Sequence, residues 1–328
     1  MKKEHYNEID VLKGLGIIAV YLGHSFNLSG LNFNEVMIYI YKSMYSFHLP
    51  MFFLISGFLS NTGKEINLKK FYINKIKRLW IPYLFINFID YFPRTLFPSL
   101  VNSEFEGIRD VIFYGTKISW FIYTLFILFM IFPILEKYIF SKDKYYISGI
   151  VILLLNIFKI GTDIKIFALG SVIYHLIYFY IGYIIKDIYK NKILNGKIVD
   201  KKVFILIFIL YLGFSYKYFY LNLYTHIIFA LIGSLFYFNI SIRLNSGKMT
   251  YNFFKFCGNE SLTLYLLEGF ITVFYRVFLF KVISLEYSCL TISLFFILRV
   301  ITGYSVIKYI IVKSSILSFL LGTRKEIL

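Results

Sequence analysis

"IDVLKGLGIIAVYLGHSF", residues 9 to 26, has the length and apolar content of a membrane-crossing helix, yet it carries Asp10, Lys13 and His24. An ionisable side chain near the centre of a lipid-facing helix costs a few kcal/mol or more, so such groups face a protein interior or a polar pathway. This stretch therefore reads as the first span of a helical membrane protein, turned toward the inside of a bundle.

Composition agrees along the whole chain. Hydrophobic residues make up 59% of the 328 positions and aromatic residues 21%, with a mean hydropathy of +0.70. Those values exclude an ordinary soluble domain. Apolar stretches recur without a soluble-looking block between them, so residues 1–328 read as one membrane-embedded domain. A crossing helix needs about 20 apolar residues. On that basis ten spans are expected, near residues 9–28, 38–60, 76–92, 119–136, 145–158, 166–186, 202–219, 222–241, 260–280 and 285–311. The expected fold is all-α and polytopic. Cys257 and Cys289 fall in different spans with no metal-type spacing and read as packing residues. Two N-terminal lysines precede no short apolar core with a small-residue cleavage site, so the first span is expected to be retained.

Basic residues orient the bundle, because cytoplasmic loops collect Lys and Arg. One set of alternating segments holds Lys2, Lys3, the run from Lys64 to Arg78, Lys137 to Lys144, Lys186 to Lys202, Arg243 to Lys255, and Lys308 to Lys325. The opposite set is poorer by about three to one and includes Lys42, Arg94, Arg109, Lys159 and Lys281. Both termini are thus expected in the cytoplasm. The net charge of +17 follows membrane sidedness rather than a single stripe, which argues against nucleic-acid binding.

Helical positions eleven apart differ by about 20° in azimuth and about 16 Å in rise. Lys13 and His24 therefore share a face, the lysine near the cytoplasmic end and the histidine deep in the membrane. Asp10, three residues before Lys13, can pair with it. A functional reading makes this a stripe from an anion site to a buried imidazole. In the structural alternative Lys13 snorkels to the headgroups and His24 bonds to a neighbouring helix.

The second span contributes "FHLPMFFLISGFLS", residues 47–60. Here His48 precedes Pro50, which removes a backbone donor, while Ser56 and Gly57 leave room for a ligand or another helix to approach the backbone. "LKKFYINKIKRLWIPYL" at 68–84 follows with the basic cluster Lys69, Lys70, Lys75, Lys77 and Arg78, which suits either phosphate groups or anionic lipid. Glu268 and Arg299 lie within the last two spans, where a mutual ion pair would account for both. His175 and His226, beside tyrosines, read as packing residues, Asp90 and Lys217 read as interfacial, and no carboxylate and histidine spacing suggests a metal site.

Taken in order, "IDVLKGLGIIAVYLGHS", "FHLPMFFLISGFL", "KIKRLWIPYL", "SWFIYTLF" and "GNESLTLYLLE" (258–268) resemble the acyltransferase 3 family of membrane O-acyltransferases, especially its sugar O-acetyltransferase branch of fucose 4-O-acetylase-like proteins. The resemblance implies about ten helices in the plasma membrane, acetyl-CoA as donor without a metal, and a glycan hydroxyl as acceptor. It places His24 at the family's first-helix catalytic histidine and His48 at the FHxP histidine. Lys13 stands where many members have arginine, Lys75 and Arg78 where many have RxxR, and Glu268 about where many have histidine. Lysine at 13 keeps the charge but loses the planar fork of arginine.

The implied function is acetylation of a capsular, exopolysaccharide or other cell-envelope glycan in a bacterium, a source that also fits the Lys-, Ile-, Asn-, Tyr- and Phe-rich composition. The residues expected to carry it are His24 and His48 for the chemistry, Lys13, Lys75, Arg78, Ser56 and Gly57 for the donor, and Asp10, Glu268 and Arg299 in support. A neutral His24 could act as general base, or it could itself carry the acetyl group. The depth of His24 suggests a donor arriving from the cytoplasm and an acceptor from outside. The rival from another class is a non-enzymatic glycan transporter or flippase, whose expected mark is repeat symmetry with paired broken helices; the sequence does not display it.

Overall fold

The computed structural model describes residues 6–26, 35–60, 67–96, 107–116, 118–140, 144–192, 200–217, 223–244 and 246–323. Lys2, Lys3, Lys64, Lys117, Lys142, Lys197, Arg324 and Lys325, which entered the orientation argument, lie outside these residues, as does the side chain of Lys217. Among the described residues the regular elements are helices and no strand occurs. In chain order they are α1 (Asn7–Ser25), α2 (Glu35–Phe58), α3 (Leu68–Lys75), α4 (Ile81–Leu96), α5 (Gly107–Phe113), α6 (Trp120–Tyr138), α7 (Tyr145–Ile157), α8 (Leu169–Lys192), α9 (Lys201–Lys217), α10 (Leu223–Arg243), α11 (Met249–Asn259), α12 (Ser261–Arg276), α13 (Cys289–Val306) and α14 (Ser315–Leu321). A π-helical turn, Ile76–Trp80, joins α3 to α4.

The chain divides into two compact units. One comprises Met1–Phe52, Lys192–Lys313 and Thr323–Leu328; the other comprises Phe53–Asn191 and Ser314–Gly322.

In the first unit α1 is the central helix, packed against α10, α11, α12 and α13. Every residue from 9 to 17 is buried. Two glycines allow this. A Cβ added at Gly14 would run into the backbone carbonyl of Phe254, and one at Gly258 into the carbonyl of Asp10, so α1 and α11 touch backbone to backbone. Close approach through small residues is how helices gain packing contacts where lipid removes the hydrophobic driving force.

The span count needs correction. Among the described residues, five helical stretches are long and apolar enough to cross a bilayer: Trp120–Tyr138, Ile166–Lys186, His226–Arg243, Ser261–Val282 and Cys289–Ile311. They correspond to five of the ten expected spans. The stretches Tyr145–Ile157 and Lys202–Gly213 are apolar but short. The three N-terminal candidates fall away because polar groups dilute them: Glu8, Asp10 and Lys13 in α1; Lys42, His48 and several tyrosines in α2; Lys77, Arg78, Asp90 and Arg94 in the π-turn and α4. Sheltering by other helices of its unit explains how α1 tolerates such groups.

The second unit is built on the later part of α2, which meets α8 backbone to backbone. Gly57 faces the carbonyl of Phe179, and Gly182 faces that of Leu54. Trp80 stacks on Tyr83 and on Phe126 of α6, with ring centroids 5.3 and 4.9 Å away. Asn87 donates to Ser119 Oγ at 2.9 Å and accepts from Thr116 Oγ1 at 2.7 Å, which ties α4 to the start of α6.

The α1–α11 contact yields a test. Gly258→Ala is expected to lower stability by about 1–3 kcal/mol, because the new methyl group would push two backbones apart. Gly213→Ala in α9, where a Cβ meets nothing within 4 Å, is expected to leave stability unchanged or raise it by up to about 1 kcal/mol. Thermal unfolding of the purified protein in detergent compares the two.

Candidate active site

The first unit gathers a polar cluster where α1, α12 and α13 meet. Arg299 of α13 is 0% exposed, although it carries a permanent charge. Helix α13 begins at Ser288, whose hydroxyl accepts from the Thr291 amide while the Thr291 side chain accepts from the Ser288 amide, a reciprocal cap. The charge of Arg299 is met by Glu268 of α12: Nη2 donates to Oε1. Its other terminal nitrogen, Nη1, donates to the Tyr21 carbonyl at 3.1 Å and to Ser25 Oγ at 2.7 Å. Tyr21 and Phe295 flank the guanidinium with their rings, 5.2 and 4.8 Å from it. Tyr21 in turn donates its hydroxyl to the Leu264 carbonyl at 3.0 Å, and Gly303 leaves the space that this hydroxyl occupies.

Glu268 uses both of its oxygens. Oε1 accepts from Arg299 and, at 2.7 Å, from Thr272 Oγ1. Oε2 lies 3.0 Å from His24 Nδ1. Because a carboxylate only accepts, Nδ1 of His24 carries the proton, and the lone pair of a neutral ring is left on Nε2. The His24 side chain remains 31% exposed, against 9% for Glu268. An imidazole with one nitrogen held by a buried carboxylate and the other left as an acceptor is the arrangement that general-base histidines use.

His48 stands close by in α2, its ring 5.0 Å from that of Tyr45, which lies 6.0 Å from that of His24. It is 1% exposed, and its Nδ1 donates to the Met44 carbonyl at 2.5 Å. Its Nε2 is buried and has no hydrogen-bond partner among the described residues.

At the other end of α1, Lys13 Nζ sits 2.6 Å from Asp10 Oδ1, and both residues are buried. With its amide nitrogen facing that carboxylate, Asn259 donates to both Asp10 oxygens at 3.1 and 3.2 Å. Lys13 therefore neither reaches outward to snorkel nor presents an uncompensated charge. Ser56, Gly57, Lys75 and Arg78 belong to the second unit. There Gly57 admits helix α8, Lys75 places its ammonium 3.1 Å from the centre of the Phe129 ring, and Arg78 is exposed on the π-helical turn with Lys77. Among the described residues no group of three or more His, Cys, Asp or Glu side chains could hold a metal ion. His175 packs against Phe53 and Trp120, with ring centroids 4.4 and 5.4 Å away.

The sequence pattern of the acyltransferase 3 family, an acyltransferase domain, matches residues 6–307. The chain belongs to that family. The match crosses both units, and with the apolar helices it makes the protein a membrane acyltransferase by family, one that needs an acyl donor and an acceptor. No curated protein and no solved structure is detectably similar to it.

Several members of the cluster carry no sequence signal of their own. Ser25, Thr272 and Asn259 are ordinary small polar residues. Only the adjacency of Ser25 to His24, and of Asn259 to Gly258 in the late motif, points toward them.

Removing either side chain of the Arg299–Glu268 pair strands a buried charge. Arg299→Ala and Glu268→Ala are each expected to cost about 3–5 kcal/mol, and the double variant clearly less than their sum. Unfolding midpoints of the three variants in detergent measure this coupling.

Proposed function

We propose that this protein is a multi-pass O-acetyltransferase of the plasma membrane, with cytoplasmic termini and both units forming one functional domain. It would move an acetyl group from acetyl-CoA to a sugar hydroxyl of a capsular, exopolysaccharide or other cell-envelope glycan. The observation that carries this reading is the 3.0 Å contact between His24 and Glu268 in a chain of an acyltransferase family, since a hydroxyl acceptor would need a base.

His24 Nε2 takes the proton from the acceptor hydroxyl as its oxygen attacks the thioester carbonyl. When the carbon–sulfur bond breaks, the proton passes to the departing coenzyme A sulfur. Glu268 holds the ring in the required tautomer and offsets the positive charge of the imidazolium, and Arg299 fixes Glu268. This reading takes the general-base route, in which each proton-transfer step uses Nε2 while Glu268 holds Nδ1. The buried, unpartnered Nε2 of His48 suits a hydrogen bond from the reacting hydroxyl. Lys13, paired with Asp10, marks the donor end of the α1 face, about 16 Å from His24 by helical rise, a length comparable with a pantetheine arm. Within the second unit, exposed Arg78, in one basic run with Lys75, suits an anionic group by charge.

The test is coenzyme A release and acetyl transfer by protein purified in nanodiscs with acetyl-CoA and cell-envelope glycan. His24→Ala should lose at least about a thousandfold in kcat, and Glu268→Gln about 10²–10⁴-fold with little change in either KM. Undiminished transfer by a folded His24→Ala variant, or no transfer by wild type, would refute the assignment.

A further inference from the structure

One particular tyrosine stands beside both histidines. Tyr45 of α2 lies between the two histidines: its ring meets His48 edge-on at 5.0 Å and His24 at 6.0 Å, at a 45° tilt. One turn earlier, Tyr41 stands with its ring centroid 4.4 Å from that of Tyr45. Gly23, the residue before His24, makes room for the Tyr45 ring, since a Cβ there would stand 3.0 Å from Cε2 of Tyr45.

Tyr21 and Tyr123 are fully enclosed core residues. Tyr41 and Tyr45 are only half-buried, as is His24. The part-exposed imidazole of His24 therefore has the part-exposed ring of Tyr45 beside it, with Tyr41 next along α2. The centroids of the two tyrosine rings stand 4.4 Å apart, with the ring planes tilted by 44°. A pyranose presents an apolar C–H face and a rim of hydroxyls. Aromatic rings that are apolar in body and polar at the tip match both, with C–H contacts to the ring face adding weakly.

We propose that Tyr45, extended by Tyr41, is the shelf on which a pyranose acceptor lies, so that one rim hydroxyl is turned toward Nε2 of His24. The proposal rests on the acetyltransferase reading above and assigns the acceptor side of that site to α2. Tyr45 is then an acceptor-positioning residue that selects ring-shaped alcohols over flexible ones.

The experiment compares transfer from acetyl-CoA to a panel of methyl hexopyranosides with transfer to glycerol, which has no ring face. Wild type, Tyr45→Phe and Tyr45→Leu are assayed in nanodiscs. For Tyr45→Leu we expect KM for the pyranoside to rise about tenfold, with KM for acetyl-CoA and kcat/KM for glycerol within twofold of wild type. Tyr45→Phe, which keeps the ring, should stay within threefold on every substrate. Equal losses on pyranoside and glycerol, or a change confined to acetyl-CoA, would overturn the shelf while leaving the acyltransferase reading intact. An inactive wild type on every acceptor would overturn that reading and the shelf with it.

Discussion

Everything at the centre of the first unit depends on one carboxylate having two obligations. Arg299 is a permanent cation with no exposed surface, and a charge in that setting is tolerated only with a counterion and further hydrogen bonds. Glu268 supplies the counterion, while the Tyr21 carbonyl and Ser25 hydroxyl supply further acceptors. The second oxygen of Glu268 then falls to His24. The group that makes the buried arginine tolerable is thus the group that sets the histidine's tautomer. Because these contacts come from three helices, His24 is oriented by the packing of the bundle rather than by its own rotamer preference.

The far end of α1 is fixed in a different way. Gly14 and Gly258 bring α1 and α11 into backbone contact, and Asp10 is held there by Lys13 and Asn259. A helix gripped at one end by interlocking backbones and at the other by a charge network has little freedom to rotate or slide. Such restraint is what a base needs, since misplacement of about 1 Å can lower a rate a hundredfold.

How much of this the sequence discloses varies with the range of the interaction. The Asp10–Lys13 pair is legible because it spans one helical turn. The family resemblance is legible in the ordered motifs from residue 9 onward, and the family match extends over 6–307. The Arg299–Glu268 pair could be anticipated from two charges in adjacent spans. The partner of His24 could not: Glu268 meets it only after a third helix has positioned Arg299. Likewise Tyr45 is one of thirty tyrosines, and nothing local distinguishes it. The ten-span count overreached for a related reason. Apolar content signals lipid exposure, whereas α1 is an interior helix whose polar residues are satisfied by neighbours far along the chain. Gly57 shows the same limit, since a small residue announces close approach without naming what approaches, and here that is α8.

The two histidines are alike in one respect and differ in another, and the difference separates their roles. Each donates from Nδ1, which leaves Nε2 of the neutral ring as an acceptor. His24 donates to a carboxylate, whereas His48 donates to the carbonyl of Met44. A proton gained at Nε2 makes the ring cationic. A carboxylate stabilises that cation through a charge-assisted bond, roughly twice as strong as the neutral bond that a carbonyl offers. His48 is also the more deeply enclosed ring, so charging it in place would carry the larger desolvation penalty. Of the two rings, His24 therefore has the surroundings that better offset an added proton, and His48 those that favour the neutral ring.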